Sequence, residues 1–368
     1  MQTKLWDGKN KELAQADLAE AAELLRQGEV VAFPTETVYG LGANGLSGAA
    51  CQKIFEAKGR PADNPLILHI SEKEEILPLT SGLSANAKAL IEAFWPGPMT
   101  LIVPKSELIP ETVTAGLATV AVRFPSHPLA RALIKAVGKP LAAPSANKSG
   151  RPSPTRAEDV LADMEGLIAG VIDGGPCAIG VESTIIDTTV PVATILRPGG
   201  ITLEMLEEKL GAVEIDPGLI LPDQVPKAPG MKYKHYAPKA TMFLVEGSEA
   251  ALGVLKLVKG ALSQDLKVGV IAAEATVEQL PATGKIVAHS WGISQREMAE
   301  HLFTDLRRFD TEGVDVIIGE GTGEEELGLA IMNRMRKSAA HNILRAEKGK
   351  LHPLSGKIPE FLPENMLQ

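Results

Sequence analysis

Residues 30–42, VVAFPTETVYGLG, contain the transition that decides the fold of the first part of the chain. The apolar residues 30–33 are typical of a short buried strand, which ends at Pro34 because proline has no backbone N–H for a strand ladder. A helical pattern precedes this strand, and Asp17 and Glu20 at its start resemble a capping box. A helix, a buried strand and a long polar loop in this order favour an α/β fold.

Helical and strand patterns continue to alternate up to about residue 211. The helices are predicted at 49–57, 84–94, 127–137, 156–163 and 203–210. The strands are predicted at 66–70, 100–103, 119–124, 141–143, 167–172, 183–187 and 193–196. Because no single βαβ period repeats, we predict a twisted, mixed sheet flanked by helices.

The composition and the periodicity of the sequence change after Gly211. Residues 212–240 are rich in proline and glycine, lack periodicity and end in the basic stretch KAPGMKYKHYAPKA, which is typical of a linker. Beyond it, strands are predicted at 242–245, 268–271, 286–288 and 314–318, and helices at 248–262, 294–309 and 323–346. We therefore expect a main α/β domain at 13–211, a basic linker at 212–240, a smaller Rossmann-like α/β domain at 241–347 and a tail at 348–368.

Composition excludes several classes of protein. The 368 residues suit two domains, and 45% hydrophobic with 23% charged residues is typical of globular chains rather than disordered ones. A net charge of −9 argues against a protein that coats nucleic acid by bulk electrostatics. The two cysteines, Cys51 and Cys177, form no C-x-x-C pair, which excludes a disulfide framework and a cysteine-rich zinc site. With no signal-peptide pattern and no run of about 18 apolar residues, we expect a cytoplasmic protein.

The polar loop after the first strand is the first candidate site. Thr35, Thr37 and Tyr39 lie between that strand and two glycines. The threonines can cap a helix and the tyrosine can fill the core, which explains this loop alone as well as a ligand site does.

A second cluster, KGRPADNP, follows the next helix. Lys58 and Arg60 can simply complement the helix dipole. Yet the glycine between them frees the backbone, and lysine with arginine is a pairing that grips polyphosphate. Asn64 and His69 follow closely, although a histidine in an apolar strand is more often a core residue.

A third cluster is the loop PSANKSG at 144–150, with Arg151, Ser153 and Arg156 after it. Its hydroxyl, amide and cationic groups suit phosphates, but a polar surface loop in which Ser153 or Thr155 caps the next helix is the alternative.

Two shorter motifs, GVESTIID at 180–187 and LRPG at 196–199, complete the set of polar loops. Arg123 lies in the apolar strand VAVRFP, so it either faces solvent or meets an acid or a ligand carboxylate inside the fold. The sequence contains no P-loop, Rossmann fingerprint, kinase signature, G-x-S-x-G or H-E-x-x-H motif. A nucleotide would therefore need a binding site that is not built on these motifs.

Five motifs in this order, FPTETVYGLG, KGRPADNPL, PSAN, ESTI and ILRPG, resemble the YrdC-like fold of threonylcarbamoyl-AMP synthases. The segment APGMKYKHYAPKA and the second α/β unit look like the longer, two-domain form of that family. The resemblance covers residues 13–347. It implies an enzyme, an L-threonylcarbamoyladenylate synthase, that makes threonylcarbamoyl-adenylate and diphosphate from L-threonine, bicarbonate and ATP.

The resemblance also implies which residues bind the substrates. The residues that match the threonine site are Thr35, Thr37, His69, Arg123, Ala143 and Ser183, and it stays open which of the two threonines contacts the amino acid. The residues that match the ATP site are Lys58, Arg60, Asn64, Thr119, Ser145, Asn147, Ser153, Arg197 and, from the linker, Tyr236. Lys58 and Arg60 are expected to act in catalysis, by charge rather than as nucleophiles.

Mg²⁺ is expected to enter with ATP, and no separate protein metal site is expected. Because a carbamate of threonine needs a closed site, residues 230–238, with Lys232, Lys234, His235 and Tyr236, are candidates for a lid. The expected partners are the proteins that transfer the threonylcarbamoyl group to the adenosine next to the anticodon of tRNA, and the reaction itself does not require contact with tRNA.

Three other functions would predict different features of the sequence. An RNA-binding module of the same fold would spread cations and aromatics over a broad face, whereas here the cations lie in ligand-like loops. Carbamoyl transfer in metal-cofactor maturation would bring cysteine pairs and a further domain for which the chain has no sequence. A regulatory or docking role of the C-terminal domain remains open beside a scaffold role.

Overall fold

The structure is a computed structural model, and it describes residues 2–10, 12–219 and 236–362. Within these residues the chain forms two compact units. The first comprises residues up to 149 and from 153 to 219, and the second comprises residues 150–152 and 236–362. Each unit contains its own sheet and helices, which confirms the predicted α/β class with a second, smaller sheet.

The first unit is built on a mixed sheet that has eleven strands in the described part of the chain. Its strands are β1 (Lys4–Asp7), β2 (Val31–Phe33), β3 (Gly40–Asn44), β4 (Ile67–His69), β5 (Met99–Pro104), β6 (Thr119–Arg123), β7 (Leu141–Ala142), β8 (Gly170–Asp173), β9 (Thr184–Asp187), β10 (Thr194–Arg197) and β11 (Glu214–Ile215). They lie in the order β1-β8-β2-β3-β7-β4-β6-β5-β9-β10-β11. The helices are α1 (Gln15–Arg26), α2 (Gly48–Lys58), α3 (Ala85–Phe94), α4 (Glu111–Thr114), α5 (Pro128–Val137), α6 (Ala157–Met164) and α7 (Leu203–Leu210).

The register of the central strands places polar residues in a row on one face. His69 on β4 is paired with Arg123 on β6, and Arg123 is paired with Thr100 on β5. Thr100 is in turn paired with Ile185 on β9. Because directly paired residues point to the same face of a sheet, these side chains share one face. Apolar residues at the alternate positions, Leu68, Leu101 and Val122 among them, point to the opposite face and into the main core.

Two apolar cores cover the first sheet. The larger core contains residues of α2, α3, α6 and α7 and lies on the face opposite the polar row. The second core joins α1 and α5 to Phe33, Leu141 and Ala143 at one end of the polar face. The same face also carries a smaller apolar cluster made of strand residues, namely Ile67, Ile102, Ala121, Ile185 and Leu196.

The second unit is a sheet with helices on both faces. Its strands are β12 (Thr241–Glu246), β13 (Val268–Ala272), β14 (Ile286–Ser290), β15 (Val316–Glu320), β16 (Ile343–Glu347) and β17 (Lys350–Ser355), in the order β14-β13-β15-β12-β16-β17. Its helices are α8 (Ala250–Ser263), α9 (Glu274–Val277), α10 (Gln295–Glu312) and α11 (Gly328–Ser338). Strands β12 to β16 are parallel, and β17 is antiparallel to β16. A parallel sheet with helices on both faces confirms the predicted smaller α/β domain, although its strand order differs from the 3-2-1-4-5-6 order of the Rossmann fold.

Several local predictions differ from the structure. Helix α1 begins at Gln15 rather than Asp17, and Glu20 bonds Lys4 and Trp6 instead of forming a capping box. The end of the loop after β2 is a strand, because β3 pairs with both β2 and β7.

Three predictions about the second part of the chain also differ from the structure. The helix predicted at 323–346 is divided: α11 ends at Ser338, and the rest includes strand β16. The expected tail contributes β17 to the second sheet. The predicted linker begins with β11 of the first sheet, and its residues 220–235 lie outside the described residues.

Candidate active site

Backbone hydrogen bonds bring the first polar loop against the third and fourth motifs. The amide of Ala146 donates to the carbonyl of Tyr39, and the amide of Tyr39 donates to that of Pro154, both at 2.9 Å. The amide of Ile179 donates to the carbonyl of Glu36 at 2.9 Å. Loops that are far apart in sequence therefore meet around residues 35–39.

The second motif joins the third through Lys58. Its side chain is buried at the C-terminus of α2, where its ammonium donates to the backbone carbonyls of Ser145 and Asn147. The hydroxyl of Ser145 in turn donates to the side-chain oxygen of Asn147 at 2.5 Å. Gly59 allows this arrangement because it ends the helix in the left-handed region, at φ 60°. The cluster puts a buried positive charge beneath a loop of hydroxyl and amide groups.

Arg60 and Asn64 form the second half of this group. The guanidinium of Arg60 donates to the carbonyls of Asn64 and Pro65 at 3.2 and 3.1 Å. Asn64 is 1% exposed, and neither atom of its side-chain amide has a hydrogen-bond partner among the described residues. Because an unsatisfied buried amide is costly, this geometry is typical of a site that is completed by a ligand.

The polar row holds a buried ion pair beside a neutral histidine. Nη2 of Arg123 lies 2.8 Å from Oε1 of Glu36, and both side chains are almost fully buried. Burial, together with the charge of Arg123, lowers the pKa of His69 to about 3. The imidazole is therefore neutral near pH 7, and its Nδ1 lies 3.1 Å from the carbonyl of Ile67.

The fourth and fifth motifs meet at Ser183. Arg197 at the end of β10 donates to the carbonyl of Ser183 through Nε and Nη2, at 3.1 and 2.9 Å, and to its hydroxyl at 3.1 Å. The same hydroxyl lies 2.8 Å from that of Thr100 in the polar row. Ser153 donates to the carboxylate of Glu182, the neighbour of Ser183, at 2.7 Å. These bonds connect all five motifs in one region of the first unit.

The threonines of the first loop hold the loop in shape. Their hydroxyl oxygens lie 2.9 Å apart, and the hydroxyl of Thr35 donates to the carbonyl of Val38 at 2.6 Å. Both residues are buried. Ala143 directly follows β7, and its amide donates to the carbonyl of Ile67 beside His69. Of the six residues expected at the threonine site, His69 lies on β4 and Arg123 on β6. The other four lie in the loop after β2, directly after β7 and directly before β9: Thr35, Thr37, Ala143 and Ser183.

Thr119 stands apart from the other expected ATP residues. It lies at the start of β6 on the same face as Arg123, roughly 13 Å away along the strand. Between them that face is apolar, with Ile67, Ala121 and Ile102 in paired positions.

Tyr236 belongs to the second unit. Its ring stacks on Phe303 with centroids 5.1 Å apart, and the guanidinium of Arg334 lies 6.0 Å from the ring centroid. The other residues of the expected lid, Lys232, Lys234 and His235, lie outside the described residues.

Two buried acids of this region were not among the predicted site residues. Glu36 lies between Thr35 and Thr37, and Glu182 opens the motif ESTI. Both residues are at most 8% exposed. A glutamate between two polar residues is usually solvated, so position within a motif was the only signal in the sequence that could have identified these acids.

Metal-binding clusters and membrane-spanning helices are both absent from the described residues. These residues contain no group of three or more His, Cys, Asp or Glu residues that could hold a metal ion. None of their helices has both the length and the apolar character needed to cross a bilayer.

Comparison with protein families covers most of the chain. Residues 23–199 match a family of Sua5, YciO and YrdC proteins that is described as "Telomere recombination". Residues 201–340 match a family described as "Threonylcarbamoyl-AMP synthase, C-terminal domain".

Several similar proteins are named threonylcarbamoyl-AMP synthase, and the chain aligns with them over nearly their full length. The chain is 47% identical over 350 residues to the threonylcarbamoyl-AMP synthase of Bacillus subtilis, with 94% of this chain and 100% of that protein covered. It is 47% identical to the synthase of Pyrococcus abyssi, with 88% of this chain and 94% of that protein covered. The crystal structure of P. abyssi Sua5 complexed with L-threonine superposes with a TM-score of 0.88 at 44% identity, covering 94% of this chain and 100% of that one.

Proposed function

Since the chain belongs to the threonylcarbamoyl-AMP synthase family in its two-domain form, we infer that it makes L-threonylcarbamoyladenylate and that the polar face of the first sheet is where it does so. The observation that supports this placement is that the hydrogen bonds of Lys58, Arg197 and the first loop join all five polar motifs in one region of the first unit, next to the polar row. The substrates are L-threonine, bicarbonate and ATP, and diphosphate is the second product.

Threonine would bind along the polar row. Arg123 is a buried guanidinium with N–H groups to spare, and a carboxylate is the ligand that such a fork binds best. Neutral His69 and the hydroxyl of Ser183 flank it and can hydrogen-bond the remaining polar groups of the amino acid. Thr35, Thr37 and Ala143 would shape this end of the site.

ATP would extend from the polar row across the same face. Its phosphates suit Lys58, Arg60, Ser145, Asn147, Ser153 and Arg197, and the unpartnered amide of Asn64 would complete that set. We place the adenine over the apolar patch of Ile67, Ile102 and Ala121, with Thr119 at its far edge. Burying a flat ring on such a patch is favourable without any specific hydrogen bond.

The chemistry requires position and charge more than a protein nucleophile. Diphosphate gains negative charge as it leaves, so the cations of Lys58 and Arg60 would stabilise the transition state relative to bound ATP. Holding the carbamate of threonine next to the α-phosphate makes the transfer effectively intramolecular. Exclusion of water from the site would protect the carbamate from hydrolysis.

Mg²⁺ would come with ATP rather than sit in a site of its own. The phosphate-binding group offers hydroxyls and the carboxylate of Glu182, which are oxygen donors of the kind that Mg²⁺ accepts alongside phosphates and water. The ion would offset phosphate charge.

We further propose that the adenylate passes to the proteins that modify the tRNA adenosine next to the anticodon. The two free, buried cysteines are in keeping with a reducing cytoplasm.

The test is release of diphosphate from ATP by the purified full chain with Mg²⁺, bicarbonate and single amino acids. We expect release that requires both threonine and bicarbonate and that stops when EDTA removes Mg²⁺. Arg60→Ala should reduce the rate by at least about 100-fold, as loss of one charge-stabilising group does in other sites. Release that does not depend on threonine would overturn the proposal, and no release at all would favour an RNA-binding module of the same fold.

A further inference from the structure

Glu36 occupies an unusual position in the polar row. It lies between the two threonines of the first loop, is 8% exposed, and places Oε1 2.8 Å from Nη2 of Arg123. The carbonyl of Glu36 accepts a hydrogen bond from the amide of Ile179, so the backbone at this point is fixed. Nothing in the composition of the motif requires an acid here, because the loop already has two hydroxyl groups for its turns.

This ion pair is incomplete. Neither carboxylate oxygen of Glu36 has a hydrogen bond of regular geometry to a described residue, and the same holds for Nε and Nη2 of Arg123. A buried ion pair loses much of its attraction to desolvation unless further hydrogen bonds satisfy both partners. The pair therefore has open capacity for a ligand that carries a positive and a negative group close together.

The titratable groups around the pair do not compete for this role. The pKa of His69 is lowered by burial and by Arg123, so the ring is neutral. Burial, with the nearby charge of Glu36, raises the pKa of Cys177, so its thiol stays protonated. Glu36 and Arg123 thus face each other as the negative and positive groups of this pocket.

We propose that Glu36 binds the α-ammonium group of L-threonine while Arg123 binds its carboxylate. This inference rests on the proposed function and assigns Glu36 as the residue that selects α-amino acids. The two charged groups of an amino acid are separated by one carbon atom, so a zwitterion can lie alongside an acid and a base that are in contact, with its ammonium group at the acid and its carboxylate at the base. A carboxylic acid that lacks the amino group would leave Glu36 buried without its partner, which penalises its binding.

The test compares two ligands on the full chain by calorimetry. One is L-threonine, and the other is 3-hydroxybutanoate, which keeps the carboxylate, hydroxyl and methyl group of threonine but has hydrogen in place of the ammonium. Each is titrated into the wild type and Glu36→Gln, a variant that keeps the side-chain shape and removes the charge. A buried glutamate of the second unit, in Glu320→Gln, is the matched control.

We expect the wild type to bind threonine at least about 10-fold more tightly than 3-hydroxybutanoate, because a hydrogen bond to a charged group has that effect. Glu36→Gln should lose about 10- to 100-fold in threonine affinity and little for 3-hydroxybutanoate, so the preference disappears. Glu320→Gln should keep the wild-type preference.

Two results would overturn the inference. Equal losses for both ligands in Glu36→Gln would mean that Glu36 acts only by holding Arg123. Equal affinities in the wild type would exclude an ammonium contact even if Glu36→Gln fails to fold. A wild type that binds neither ligand and releases no diphosphate would instead contradict the proposed function itself, together with this inference.

Discussion

Asn64 buries both atoms of its side-chain amide without a partner among the described residues. A leucine of similar size would remove this unsatisfied group, so Asn64→Leu should fold with a free energy of unfolding equal to the wild type or about 1 kcal/mol higher. The same change should weaken ATP binding by about 10-fold or more, because the side-chain amide is then missing from the residues that bind the phosphates of ATP. Denaturant unfolding and nucleotide titration measure the two effects.

Asn342 offers a matched control for this prediction. Its amide donates to the carbonyl of Met242 at 3.2 Å, and its oxygen accepts from the amide of Lys357 at 2.8 Å. Asn342→Leu should therefore lose stability and leave ATP binding unchanged. If Asn64→Leu behaves like Asn342→Leu, Asn64 has a structural role and no role in the site.

His69 makes the stability of the first unit depend on pH. Its pKa is lowered to about 3 by burial and by Arg123, so the folded protein keeps the ring neutral, while the unfolded chain binds a proton below about pH 6.5. The stabilisation is therefore complete above pH 6.5 and decreases as the pH falls toward 3, by at most about 1.4 kcal/mol per pH unit. Urea unfolding between pH 4 and 7 should show a shallower pH dependence for His69→Gln, and parallel curves would contradict this assignment.

The sequence allowed some of these side chains to be identified and not others. Arg123 could be singled out because a lone cation in an apolar strand needs an explanation, and Lys58 with Arg60 because of the glycine between them. Glu36 could not, because its pairing with Arg123 depends on contacts between residues 87 positions apart. Partners at such distances are decided by the sheet register.

The end of β10 is held against the start of β9 by a close backbone approach at Gly199. A Cβ atom there would lie 2.3 Å from the carbonyl oxygen of Glu182 and 2.4 Å from the amide nitrogen of Thr184. Gly199→Ala must separate these segments, so we expect a loss of about 1–3 kcal/mol or more and weaker threonine binding through displacement of Ser183. Thermal unfolding and calorimetry would measure both.

Gly82→Ala is the control for this change, because a Cβ atom at Gly82 has no neighbour within 4 Å. It should alter stability by less than about 0.5 kcal/mol. Similar losses for the two alanine variants would show that the loss at Gly199 does not come from backbone crowding.

Among the secondary-structure elements, hydrophobic runs in the sequence predict the central strands correctly. They do not predict β3 and β16. The buried strands β4, β5 and β6 coincide with predicted runs because both ends are marked by turn residues. Strand β3, with its sequence GLGAN, has little strand propensity and exists because β2 and β7 pair with it on either side. The prediction extends a helix over most of β16 because this strand, Ile343–Glu347, is short and directly follows a helical pattern.

At the scale of the molecule, the net charge of −9 says little about the ligands. The cations that matter are placed one by one: Lys58 beneath the third motif, Arg123 in the polar row and Arg197 against Ser183. Each is buried, so its field acts at short range in a low dielectric and is hardly screened by salt. Function in this chain therefore follows from local placement and not from the charge total.

The two units have separate apolar cores, and this predicts separable effects on stability. Leu257 on α8 and Leu101 on β5 are both fully buried, one in each unit. Leu257→Ala and Leu101→Ala should each cost about 2–5 kcal/mol, in the second and first unit respectively.

L-threonine distinguishes the two variants, because a ligand stabilises only the structure that binds it, by about 2.7 kcal/mol at 100 times its Kd. In scanning calorimetry, threonine should raise the midpoint of the transition that Leu101→Ala lowers. It should leave unchanged the transition that Leu257→Ala lowers. If threonine shifts both transitions equally, the second unit unfolds together with the binding site, and its role extends beyond a separately folded domain.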